Sequence, residues 1–163
     1  MTGMSLSNPI SGSSTVTPLA SAMLFVMKYG ISELSIVPLR AEASDKAEMV
    51  NQVLFGEHFK VLNFRAKWSK IRLAHDKYEG WICNEQWSEI DKNTYDKLEH
   101  NEPILTNELL DIIKNETHQT IPLGCTLPFF KDNAFQINEN KYSYKGEITK
   151  GKNLDIFNRD FRS

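Results

Sequence analysis

Cysteine is scarce in this sequence. Cys83 and Cys125 are the only two in 163 residues. They form no CxxC pair and have no ligand spacing, which excludes a cysteine-based zinc site and a disulfide framework. The two read as buried free thiols, with a single bridge between them as the alternative. The four histidines, His58, His75, His100 and His118, show no paired spacing either, so no metal and no cofactor is implied. There is no Gly-rich phosphate loop. The formal charge is −2, with no basic cluster. Nucleic acid, which needs a stripe of Lys and Arg to displace counterions, is therefore not an expected partner. Long apolar runs are missing as well. Met23-Leu24-Phe25-Val26 is too short to span a bilayer. It also follows the small residues Ala20-Ser21-Ala22, in a stretch without Lys or Arg, and that is the wrong order for a secretory signal. Residues 1–26 read as a disordered leader or extension rich in Ser and Thr, with Met27 a plausible native start. The compartment, cytoplasmic or cell-envelope, stays open.

Bulky aromatics, by contrast, are plentiful: nine Phe, five Tyr and three Trp. Small β-domains use such side chains to bury enough area with few residues. From residue 28 to about 90 the pattern is that of short strands. Ser35-Ile36-Val37-Pro38-Leu39-Arg40 is extended, with Pro38 suited to an edge or a strand entry. Residues 41–46 form a polar loop. Residues 50–55 and 58–62 flank a Gly56-Glu57 turn, and Phe59 and Val61 alternate with polar residues. In Trp68-Ser69-Lys70-Ile71-Arg72-Leu73, Ser69, Ile71 and Leu73 share one face and Trp68, Lys70 and Arg72 the other. A His75-Asp76-Lys77 turn leads into Tyr78-Glu79-Gly80-Trp81-Ile82. Residues 84–87 suit a single closing helical turn. Five short strands at this spacing predict a small barrel.

Residues 91–103 read as a linker, helix-compatible to His100 and broken at Glu102-Pro103. Residues 104–115 fit either a helix face or a buried strand, with Leu109, Leu110, Ile112 and Ile113 as the apolar set. β-like pieces follow at 120–130, 134–137 and 141–148, separated by turn residues. The expectation is a mainly β chain of two small barrels, residues 28–90 and 104–150, joined by a short helical or charged linker, with a polar tail at 151–163.

The order of features from Val37 to Ile82 resembles a bacterial SH3-like repeat. Its elements are Val37-Pro38-Leu39-Arg40, Ser44, Val53-Leu54-Phe55-Gly56-Glu57, Val61-Leu62, Trp68-Ser69-Lys70-Ile71-Arg72 and Tyr78-Glu79-Gly80-Trp81-Ile82. Lys28-Tyr29-Gly30-Ile31 running into Leu34-Ser35-Ile36-Val37-Pro38 is similar to the opening of NlpC-type cell-wall peptidases of Bacteroides-like bacteria. Leu123-Gly124-Cys125-Thr126-Leu127-Pro128-Phe129-Phe130 looks like their second SH3-like domain. Members of that family cut peptidoglycan stem peptides, for instance between D-glutamate and a diamino acid. They do so with a papain-like domain carrying an Asp-Cys-Ser-Gly-Phe motif. That motif is not in this sequence, and Ser163 falls about where such a domain would begin. The resemblance therefore implies a non-catalytic region, with a peptidoglycan stem peptide or a peptidase catalytic domain as partner.

In such peptidases the first SH3-like domain helps recognise the free amine of the stem peptide. A carboxylate would pair the ammonium and an aromatic ring would wall the pocket. Glu42 and Tyr78 match that pattern by position. The bland alternative is a solvated loop charge and a barrel-end cover. Trp68 and Trp81 read as packing rather than as ligand platforms, while Trp87 is balanced between the two. Arg40 either braces the long loop or is a surface cation. Phe129-Phe130 is either a contact patch or part of a core strand. A Cys83–His75 dyad would need hydrogen-bond reach across a hairpin, which pairs outside a motif seldom achieve. The competing functional reading is a stand-alone protein-interaction module, such as an inhibitor or immunity factor.

Overall fold

The computed structural model describes residues 26–151. The expected leader, apart from Val26, and the tail beyond Gly151 lie outside the described residues. Among the described residues the chain is mainly β, built as small SH3-like barrels with one short α-helix. The first barrel uses β1 (Lys28–Ile31), β2 (Ile36–Arg40), β3 (Met49–Leu54), β4 (His58–Phe64), β5 (Trp68–Leu73), β6 (Glu79–Cys83) and β7 (Ser88–Ile90). They form one sheet in the order β3-β2-β6-β5-β4-β1-β7. A 3-10 turn over Asn84–Gln86 closes it, as the sequence predicts.

Alternation decides which side chains fill this barrel. Val37 and Leu39 of β2, Phe59 and Val61 of β4, Ile71 and Leu73 of β5 and Ile82 of β6 all point inward with Val53. Every second residue of a strand faces the same side, so one apolar period is enough to specify the core face. Trp68 stands on the opposite face from Ile71 yet is only 8% exposed. The Lys67 ammonium lies 5.7 Å from its ring.

Residues 91–103 are more than a spacer. The helix α1 (Lys92–His100) starts at Asp91, whose carboxylate accepts a hydrogen bond from the Thr94 amide at 2.6 Å, satisfying one of the open N-terminal donors. Tyr95 is buried, against Tyr29 at 4.6 Å and His58 at 5.2 Å between ring centroids.

Beyond the helix come β8 (Ile104–Thr106), β9 (Leu110–Lys114), β10 (Thr117–Ile121), β11 (Ala134–Ile137), β12 (Asn140–Ser143) and β13 (Ile148–Lys150). They pair as a β10-β9-β12-β11 sheet and a β13-β8 ladder. Residues 104–115 are thus strands, not a helix. Ile112 is buried, while Leu109 and Leu110 are exposed. The expected β-segment at 120–130 stops at Ile121, and only Thr126 makes a bridge, to Leu105. Pro122 and Pro128 lack ladder donors, and Gly124 and Phe129 have φ of 81° and 55°, so the segment cannot hold an extended ladder.

The second barrel shares a core with the first. Ile112, Ile121, Leu127, Phe135, Tyr142 and Tyr144 pack in one cluster with Ile31, Phe55, Ile90 and Tyr95. Phe55 meets Tyr142 at 5.3 Å and Phe135 at 6.0 Å, both edge-on.

Candidate functional site

β2 ends at Arg40, opposite Trp81 of β6. Glu42 lies in the loop that follows and Tyr78 just before β6, and no hydrogen bond or ion pair among the described residues joins the two. Both are exposed. The loop holding Glu42 is pinned from several sides. Arg40 donates from Nη1 to the Ala47 carbonyl at 2.8 Å, which gives Arg40 the bracing role. Lys67 pairs with Asp45 at 2.7 Å, and the Ser44 amide donates to the Glu42 carbonyl at 2.8 Å. No side-chain hydrogen bond or ion pair of Glu42 exists among the described residues. Tyr78 is held through its backbone: its amide donates to the Asp76 carboxylate at 2.9 Å, and its carbonyl accepts from Leu73. Asp76 followed by Lys77 at φ 63° makes the tight turn that the sequence suggests.

The neighbouring outer face is occupied. The Arg65 guanidinium sits 4.3 Å above the Trp81 ring, and Glu79 binds Arg72 at 2.6 Å and Lys70 at 3.4 Å. Trp87 packs edge-on to Phe59 at 5.6 Å. Its role is therefore core packing; Trp68 is likewise buried, whereas Trp81 is half-buried on the outer face, covered by the Arg65 guanidinium.

The Cys83–His75 pair does not assemble. His75 lies in the β5–β6 turn, whereas Cys83 pairs with Trp68 at the opposite end of that hairpin, roughly 15 Å away at the rise of a strand. Both cysteines are free. Cys125 is fully buried, and burial pushes its thiol up to about 12. Cys83 is half-buried, not fully buried as expected.

A cavity of about 760 Å³ opens between the β3–β4 turn, the β5–β6 turn, the end of α1 and the segment 124–131. Neither Glu42 nor Tyr78 lines it. Nothing in local sequence marks this space, because its walls come from stretches some 70 residues apart. The nearest sequence signal is Pro128-Phe129-Phe130. Phe129 is exposed at the cavity, while Phe130 packs on the shared core, 6.3 Å from Phe135 and from Tyr144.

Residues 39–86 match the family described as the bacterial dipeptidyl-peptidase SH3 domain. The match begins within β2 and ends in the closing 3-10 turn, so it covers most of the first barrel. Comparison with curated proteins gives no match. Among solved structures, the crystal structure of an NlpC/P60 family protein from Bacillus cereus aligns with a TM-score of 0.58 at 12% identity. The alignment covers 77% of this chain and 57% of that one, so this chain spans little more than half of that protein's length. At that identity the likeness is one of fold, and it extends past the first barrel. The chain thus carries a bacterial SH3-like domain over residues 39–86, within a fold similar to that of an NlpC/P60 family protein.

Proposed function

We propose that this chain is the recognition and positioning region of a peptidoglycan stem-peptide peptidase, breaking no bond itself and holding the free amine of the peptide at Glu42 and Tyr78. The observation that carries the reading is the contrast within one loop. Arg40 and Asp45 are tied down on either side, yet the Glu42 carboxylate between them has no partner among the described residues. A fixed loop presenting a free acid is pre-organised for a cation, and pre-organisation lowers the ordering cost of binding. The exposed ring of Tyr78 is the aromatic wall that this reading assigns to the amine.

The test is titration of the isotope-labelled chain with a stem peptide beginning in L-alanine, followed by amide chemical shifts. Shifts should concentrate in residues 41–48 and 76–80, and Glu42→Ala should weaken binding about fivefold or more, the scale of one charge-assisted contact. Acetylating the peptide's amine should do the same. Shifts elsewhere, or equal binding by the variant, would reject this pocket.

A further inference from the structure

The cavity between the barrels has two unlike walls. The second-barrel wall is apolar through Leu127, Pro128, Phe129 and Phe130 and adds Lys131. The first-barrel wall carries Glu57, His58, His75 and Lys77. Its volume falls in the range of sites that enclose small organic ligands.

The charges on the cavity are unevenly satisfied. Glu99 is engaged twice, by His58 at 2.8 Å and by Lys77 at 3.8 Å. Lys77 also donates to the Ala74 carbonyl at 2.5 Å. Glu57 differs. One oxygen accepts the Leu54 amide at 2.7 Å, and no ion pair among the described residues involves it. Burial pushes its pKa above the ordinary 4.5 against that hydrogen bond and the nearby His75. The cavity also carries Lys77 and Lys131, yet Lys77 is turned to Glu99 and no ion pair among the described residues joins either lysine to Glu57, so this half-buried carboxylate is left without a cationic partner.

Phe129 adds a second, independent observation. It holds φ at 55° while remaining 42% exposed. Left-handed backbone is unfavourable for a bulky residue, and such strain gathers where a ligand is clamped. The strained turn aims an aromatic ring at the cavity instead of into the core, where its neighbour Phe130 goes.

We infer that this cavity is a second binding site, for a small hydrophobic amine whose ammonium pairs with Glu57 and whose apolar body lies against Leu127, Phe129 and Phe130. The peptide N-terminus of a bulky apolar residue has this chemistry. The site is distinct from Glu42 and Tyr78 and stands or falls separately from them.

The experiment uses the full chain and two probes of similar shape, 2-phenylethylamine and 3-phenylpropionate, each titrated while amide shifts are followed. The amine should move the amides of Ala74, Gly124 and Lys131 saturably and bind about fivefold or more tightly than the acid. In Glu57→Gln that preference should shrink to within about twofold, and Phe129→Ala should weaken both probes. The amine–acid comparison on the unmodified chain decides the matter even where a variant fails to fold. Equal binding of both probes, an amine preference that persists in Glu57→Gln, or no saturable shift at the cavity because another part of the chain fills it would each overturn the inference.

Discussion

Gly56 and Glu33 together hold the second barrel on the first. Gly56 turns β3 into β4 at φ 78°, and a Cβ there would fall 1.8 Å from the Thr126 carbonyl oxygen. The Thr126 amide donates to the Phe55 carbonyl at 3.1 Å beside it. Glycine is required here both for its backbone angle and for the close approach of a second strand of chain. Glu33, in the β1–β2 loop, is buried. Its carboxylate accepts from the Tyr142 hydroxyl and from Asn140 at 2.7 Å, and Lys114 lies at 3.5 Å. Burial alone would raise its pKa. Hydrogen bonds from Ser88, Tyr142 and Asn140 and the charge of Lys114 outweigh burial and hold it below the ordinary 4.5. A carboxylate more acidic in the folded state stabilises fully above about pH 4.5, and that contribution is lost as pH falls through the lowered value. Glu33→Ala should therefore cost about 2 kcal/mol at pH 7, read from urea midpoints, with the gap to the parent chain closing below pH 4. A gap of the same size at pH 3 would mean that the charge of Glu33 is not what holds the contact.

At the scale of elements, the strands of the first barrel are legible because each needs only a two-residue period, visible in Phe59 and Val61 or in Ile71 and Leu73. The turn at Asp76-Lys77 and the helical turn after Cys83 are equally local and equally readable. Residues 104–115 are not, since Leu109 and Leu110 mimic a helix face while the structure leaves both exposed. Their status depends on β10 and β12, which pair with β9 from either side. The segment 122–131 misleads in the other direction, because apolar content there serves docking rather than a ladder. The pair Glu42 and Tyr78 could be nominated only through family resemblance, whereas Glu57 was legible as a turn residue and not as a cavity wall. Thiol chemistry checks the placement of 122–131 directly. In the folded chain at pH 7.5, a thiol-labelling reagent should modify Cys83 readily and leave Cys125 untouched, with both reacting after denaturation. Fast labelling of Cys125 would show that this segment is not sealed against Phe55.

The shared core makes the two barrels one packing unit. The second barrel has two small sheets of four and two strands, and sheets of that size need a partner surface to be stable. Phe55, at the end of β3, supplies much of that surface, touching Phe135 and Tyr142 while remaining fully buried itself. The three tryptophans, Trp68, Trp81 and Trp87, all lie in the first barrel, so their fluorescence reports that half alone, whereas far-ultraviolet circular dichroism reports both. In the unmodified chain the two signals should give one coincident urea transition, the signature of two-state unfolding. Phe55→Ala removes a large side chain from the joint, and such truncations cost about 3–5 kcal/mol. Because the lost contacts belong to both halves, the two signals should move together to lower urea. If fluorescence kept its midpoint while the dichroism lost amplitude early, the barrels would be separable modules that merely touch. The cavity between them would then be a cleft of variable width rather than a formed site.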